Sequence, residues 1–385
     1  MLSAHLAPEM IVIFTVSVAV CMMIIASEGL HIRLTERRGD TNAVQSAHVR
    51  PTPRIGGLAL IASLVPIAML LPEDLSSRCW LFTISVLPVA LAGLAEDLGH
   101  PVPPIARLFA ACLSSVFVIL ILEIWLPRAD VIGIDHLMAW KPFAWMFTVF
   151  ACAGICNAFN LIDGLNGLSS GIGVITAVGL AAIASNSGQT SFAELNLFVA
   201  AALLGFLVFN FPLGRIFLGD VGAYSLGHIL AWSSIGLLIR VPELSTWAVL
   251  LVFFWPVADT LFAIYRRRRA GRPTDRPDRL HYHQLVMRAL EIMLIGRKHR
   301  SLTNPLATLI ILPMAAAPAL AGVMFWNQPL QAFLTLCLSA AAFVASYALA
   351  IRIATGVRAP KNALVSRSKR RVDALTSARK PPAEV

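Results

Sequence analysis

Apolar stretches of about twenty residues recur along this chain from one end to the other, and they decide its architecture. In lipid every backbone N–H and C=O must find its partner within the segment, so runs of this length must be helices. A β-barrel would need short alternating segments, whereas these runs are continuous. Hydrophobic residues make up 57% of the chain and charged ones only 14%, which excludes an ordinary soluble globular protein. The reading is an all-α, polytopic membrane helix bundle. About eleven spans are expected, at 9–31, 56–72, 79–95, 105–126, 143–157, 168–185, 192–211, 222–239, 246–265, 306–326 and 329–351. Residues 1–8 carry no Lys or Arg and the following run is too long for a signal h-region, so no cleavable signal is expected.

Lys and Arg orient the bundle. With the N-terminus periplasmic, the segments 32–55, 96–107, 158–167, 212–221, 266–304 and 352–385 are cytoplasmic and hold 27 of the 31 basic residues. The other side keeps Arg78, Arg128, Lys141 and Arg240. This is the positive-inside pattern. It accounts for the net charge of +10 without a nucleic-acid partner, and no nucleic-acid motif accompanies the basic runs. Residues 1–351 read as one membrane domain, and 352–385 as a disordered basic cytoplasmic tail near anionic lipid. Leu285–Ile295 has apolar residues at helical spacing and suits an interfacial helix. The six cysteines lie in or beside apolar runs without a CxxC pattern, so they are read as reduced packing residues.

Every distinctive polar motif falls on the expected cytoplasmic side. HVRPTPRIGG, with Arg50, lies in the first loop, and Glu96–Asp97 closes the third span. NAFNLIDGLNG places Asn157, Asn160, Asp163 and Asn166 three apart, along a slowly turning helix face that runs out among glycines. Asp220 stands in LGDVG, where glycines permit close approach to an anion and a helix begins. Carboxylates, amides and glycine turns at one membrane surface suit Mg²⁺ and a diphosphate, because magnesium takes one or two carboxylates with phosphate oxygens and water. The bland readings are a helix cap for Asp220 and for the Asn–Asp stretch, and a solvated face for Glu96–Asp97. Asp259 lies inside a span, with six residues between it and Arg266, so it either faces a functional cavity or pairs with an arginine of 266–269. His281 and His283, in DRLHYHQL beside Arg279, are either exposed loop histidines or phosphate contacts. A zinc site would need ligands that this loop lacks.

These motifs, in this order and on one face, resemble the bacterial polyprenyl-phosphate N-acetylhexosamine-1-phosphate transferases, the superfamily shared with phospho-MurNAc-pentapeptide translocase. The resemblance spans residues 10–350 and rests on HVRPTPRIGG, GLAEDL, NAFNLIDGLNGL, FLGDVG, PVADT and DRLHYHQL. It implies transfer of a sugar-1-phosphate from a UDP-sugar to undecaprenyl phosphate, with release of UMP and Mg²⁺ (or Mn²⁺) as cofactor. GlcNAc is the first choice of sugar, with QuiNAc, FucNAc and GalNAc close behind. Such a product would start a cell-envelope polysaccharide, lipopolysaccharide included, at the cytoplasmic face of the bacterial inner membrane. The resemblance makes Asp97 the acid that engages the lipid phosphate, with Glu96 beside it. Asn160 and Asp220 become metal ligands and Asp163 the acid near the nucleotide. His281 and His283 become phosphate or sugar contacts, with Asn157, Asn166, Asp259, Arg279 and Arg50 as further substrate-binding candidates.

The chain departs from the family in four places. Glu96–Asp97 replaces a pair of aspartates, Asn166 stands where many members carry aspartate, and Ala223 stands where serine is common. HYHQ differs from the triple histidine of the pentapeptide translocases, which argues against MurNAc-pentapeptide as substrate. A flippase or secondary transporter for lipid-linked sugars is the alternative, with Asp259 its main support. A degenerate member that only binds lipid is a third reading. Whether the chain is a homodimer is left open.

Overall fold

The computed structural model describes residues 6–29, 52–271, 280–295 and 299–356. Arg50 and Arg279 lie outside these residues, as do most of the 32–55 segment and the tail beyond 356. The described chain is helical and contains no strand. In order it forms α1 (Leu6–Ala26), α2 (Leu58–Leu70), α3 (Glu73–Asp97), α4 (Pro104–Leu122) and the short α5 (Ile134–Met138). Then come α6 (Lys141–Ile162), α7 (Leu168–Asn186), α8 (Thr190–Asn210) and α9 (Gly219–Arg240). The last are α10 (Thr246–Val252), α11 (Phe254–Arg269), α12 (Tyr282–Leu290, continued by a π-turn to Ile295), α13 (Arg300–Met324) and α14 (Pro329–Gly356). Nine described helices are long and apolar enough to cross a membrane: α1, α3, α4, α6, α7, α8, α9, α13 and α14. The protein is a multi-pass helical bundle.

Two of the expected spans differ in form. The run at 56–72 yields only the 13-residue α2. At 1.5 Å per residue that is about 20 Å, short of a hydrocarbon core of about 30 Å. The run at 246–265 is not one rod: α10 and α11 meet at 86° around Phe253. Pro256 explains the break, since it has no N–H to give the Val252 carbonyl one turn back. That carbonyl accepts instead from the Thr176 hydroxyl of α7, at 3.3 Å. A neighbouring helix thus satisfies the freed group, as lipid requires.

The core is organised on α9, which is buried along nearly its whole length between α3, α6, α7 and α8. Small residues allow this. A Cβ on Gly227 would meet the Cys156 backbone of α6 at 2.6 Å, so the two helix backbones are nearly in contact. Polar side chains fasten neighbours without water. Ser17 of α1 donates to Ala202 O on α8 at 2.7 Å, and Asn196 of α8 bonds Ser233 of α9 at 2.9 Å. All six cysteines are free thiols. The amphipathic stretch expected at Leu285–Ile295 divides in two: Leu285, Met287 and Leu290 are buried, while Met293 and Leu294 are exposed.

Candidate active site

The end of α9 that carries Asp220 is built from three distant pieces of sequence. The strap 53–57 runs beside 217–218: Phe217 N–H donates to Pro53 O, and the N–H groups of Gly56 and Gly57 donate to Phe217 O and Leu218 O, all at 2.9 Å. Gly57 lies against Gly222 so closely that a Cβ on either would strike the other's backbone. Gly219 has φ +72, and a Cβ there would run into Arg54 O and into Asp97 Oδ2. The glycines of PTPRIGG and LGDVG therefore press the strap, the end of α3 and the start of α9 into one corner.

Asp97, the last residue of α3, is 5% exposed and spends both oxygens on that corner. Oδ1 accepts the Asp220 N–H at 3.1 Å and Oδ2 the Val221 N–H at 2.8 Å. It caps a helix from another element, answering N–H groups that α9 cannot satisfy internally. Asp220 itself turns outward. Its Oδ1 accepts from Asn160 Nδ2 at 2.9 Å, and its Oδ2 is ion-paired with Arg107 Nη1. Asp163, at the end of α6, takes the Gly219 N–H. Burial, and then the charge of Asp220, push its acid up to about 7, against the opposing pull of Arg54. Asn157 lies one turn below Asn160 and accepts from Tyr224 OH at 3.4 Å. Glu96 accepts the Val102 N–H at 2.7 Å.

The histidine motif joins from α12. Asp259 is buried at the base of this second corner, where its Oδ2 pairs with His281 Nδ1 at 2.9 Å and its Oδ1 accepts the Tyr282 N–H at 3.0 Å. The expected partner among arginines 266–269 is thus replaced by His281 and by the first N–H of α12. His281 and His283 are buried and stacked, their rings 5.7 Å apart and 13° from parallel, so neither is an exposed loop residue. His283 Nε2 lies against Gly164, where a Cβ would collide with it. Burial drives the His283 pKa down to about 4, and its Nδ1 has no partner among the described residues.

Asn160, Asp163 and Asp220 therefore meet with Asp97 behind them, and His283 reaches the same loop through Gly164. Asn166 points elsewhere. Its N–H donates to Asn304 Oδ1 and its Nδ2 to Pro212 O, at 2.8 and 2.9 Å, while Thr308 donates to its carbonyl. It fastens the loop to α13. Sequence reasoning missed Arg107, which it counted only as one charge for topology, and gave no role to Arg54 or Tyr224. A lone arginine one turn inside a span, eleven residues after Glu96, was the available signal.

No three of His, Cys, Asp and Glu among the described residues form a self-contained metal site. Magnesium does not need one, since phosphate oxygens and water complete its shell. Asp220, Asn160 and Asp163 offer oxygens of the right kind. The acid of Asp163 is raised first by burial and then by the Asp220 charge, and a divalent cation would offset the second of these.

The profile of Glycosyl transferase family 4 matches residues 79–238, which contain Asp97, Asn160, Asp163 and Asp220. A Bacillus subtilis protein named "Probable undecaprenyl-phosphate N-acetylglucosaminyl 1-phosphate transferase" is 31% identical over 268 residues, covering 68% of this chain and 71% of that one. The decaprenyl-phosphate N-acetylglucosaminephosphotransferase of Mycolicibacterium smegmatis is 30% identical over 66% of this chain and 68% of its own. The undecaprenyl-phosphate alpha-N-acetylglucosaminyl 1-phosphate transferase of Escherichia coli K12 is 33% identical over 40% of this chain and 43% of its own. A relative matched over most of its length, and a profile lying across the helices that build the Asp220 corner, lead to one assignment: this chain belongs to glycosyl transferase family 4.

Proposed function

We propose that this enzyme transfers N-acetylglucosamine-1-phosphate from UDP-GlcNAc to undecaprenyl phosphate at the cytoplasmic face of the inner membrane. The observation that carries the reading is the Asp220 corner, where an outward carboxylate, two carboxamides, a second acid and an arginine from three helices converge at one end of the bundle. The names of the three relatives support the same reaction class.

In this reaction an oxygen of the lipid phosphate attacks the phosphorus that bears the sugar. The bond from that phosphorus to the bridging oxygen breaks, and UMP leaves. The second pKa of a phosphate monoester is about 6, so the acceptor is already mostly dianionic at pH 7 and no general base is required. The chain's task is to hold two anions together. Asp220, Asn160 and Asp163 would hold magnesium, which supplies charge neutralisation and orients the diphosphate when bound. Arg107 keeps a buried Nε–H without an acceptor among the described residues, a donor suited to a phosphate oxygen. Asp97 works through Asp220 as a positioning residue, because its two oxygens fix the backbone of residues 220 and 221. His283 would close the donor side over Gly164.

The transporter alternative loses its main support, since Asp259 is buried and both its oxygens are taken by His281 and Tyr282. The test is Mg²⁺-dependent UMP release by the purified chain in detergent, with undecaprenyl phosphate and a panel of UDP-sugars. UDP-GlcNAc is expected to be the best donor. No release from any donor would overturn the transferase reading, because transport has no meaning in detergent. Labelled UDP-GlcNAc without lipid is expected to leave no label on the protein, and a trapped adduct would replace direct attack by a two-step route.

A further inference from the structure

At the opposite end of the bundle the chain keeps four basic residues, and three of them have internal partners. Arg128 pairs with Asp130 at 3.3 Å and donates to the carbonyls of Leu238, Val241 and Leu244. Lys141 sits over the rings of Trp125 and Trp145, at 4.9 and 5.1 Å. Arg78 on α3 and Arg240 at the end of α9 line one cavity of about 110 Å³. Its remaining wall is almost wholly apolar and includes Phe82, Leu122, Leu195 and Trp232. A hydrocarbon-lined space of this size stays dry and accepts hydrocarbon. Trp232 is 3% exposed, yet its indole N–H has no acceptor among the described residues. Arg240 is paired with Asp74 at 3.3 Å. Arg78 is exposed and makes no hydrogen bond or ion pair among the described residues.

We propose that this cavity is a binding site for one phospholipid of the surrounding bilayer, with an acyl chain between α3 and α9 and the phosphate on Arg78 and Arg240. Arg240 is held by Asp74 and lies over the Phe192 ring at 5.3 Å, so the cation that needs a cause is Arg78 beside it on the cavity, and an anionic headgroup supplies one. Guanidinium groups match phosphate oxygens in pairs, and basic pockets between spanning helices are a recurring form of headgroup site. The apolar wall suits the methylenes that follow the headgroup. The proposal is independent of the sugar-phosphate reading, since no residue of the Asp220 corner takes part.

The test is native mass spectrometry of the full chain in detergent, titrated with phosphatidylethanolamine, phosphatidylglycerol and a diacylglycerol of the same acyl chains. Retention of one phospholipid per chain, at least about tenfold tighter than the diacylglycerol, is expected from a charge-assisted contact. Arg78→Gln should weaken phospholipid retention by about the same factor, and Arg215→Gln, an exposed arginine on the loop before Asp220, should leave it unchanged. Equal retention of diacylglycerol, an unaffected Arg78→Gln variant, or an equal loss in Arg215→Gln would each overturn the proposal. The headgroup comparison uses the wild-type chain alone, so it can be read even where a variant fails to fold.

Discussion

Asp220 and Asp259 are carboxylates at neighbouring corners of the same bundle, and they are used in opposite ways. Asp259 is 2% exposed, and its two oxygens are filled by a backbone N–H and by a histidine that is itself buried. Nothing can reach it without unpacking α12. Asp220 holds Asn160 and Arg107, both side chains that can rotate away, and its own side chain stays 20% exposed. The difference separates scaffold from chemistry. A carboxylate bonded to backbone fixes an element in place, whereas one bonded to side chains can exchange its partners for a ligand. By this criterion Asp97, although it touches Asp220, belongs with Asp259.

The largest effect should come from Asp220→Asn. The substitution keeps size and the contact with Asn160 but removes the charge that faces the proposed magnesium site. Turnover is expected to fall by roughly 10³ or more, with an unchanged unfolding midpoint. Asp97→Asn tests the classification directly. An amide offers one acceptor oxygen to two N–H groups and turns its own NH₂ toward the other. Turnover should fall by about 10²-fold, and stability should also fall, by about 1–2 kcal/mol, as for a lost helix cap. A variant that loses activity while melting like the wild type would move Asp97 from scaffold to direct chemistry.

Gly164→Ala probes the seam between the two corners. Its Cβ would displace His283 while leaving Asp220, Asn160 and Asp97 untouched. A fall of about tenfold in kcat/KM for UDP-GlcNAc is expected, on the scale of one lost hydrogen bond to a charged phosphate. Unaltered kinetics would confine His283 to a packing role.

Much of this molecule is legible in its sequence, for physical reasons that vary by feature. Spans such as Lys141–Ile162 and Thr190–Asn210 show plainly because lipid imposes both their length and their composition. The break between α10 and α11 was signalled by Pro256, but the run around it is as apolar as a straight span, and the rescue by Thr176 involves a residue eighty positions away. Asp220 and Asn160 stood out because polar residues at glycine turns are costly in such a chain. Arg107 did not, since a single arginine near a helix end is ordinary under the positive-inside pattern. Asn166 shows the converse: it has the spacing of a ligand, but its bonds run to α13 and to the loop before Asp220.

The smallest effect lies in the pH dependence of stability at the Asp259 corner. His283 is neutral in the fold, with its pKa held down to about 4 by burial in spite of the nearby Asp259. In the unfolded chain it titrates at about 6.5. Between those values the unfolded state binds more protons, so stability rises with pH across this window. The contribution is fully present above pH 6.5 and is lost progressively as pH falls toward 4. His283→Gln removes the proton site and keeps a polar side chain of similar reach. Its midpoint, measured in detergent between pH 7.5 and 5, should fall less than that of the wild type, by a few degrees. His281 offers the contrast in geometry: its Nδ1 already lies 2.9 Å from the Asp259 carboxylate, whereas the His283 Nδ1 has no partner among the described residues. If both chains lose stability equally on acidification, the group that titrates is not His283, and the closed corner owes its tightness to Asp259 alone.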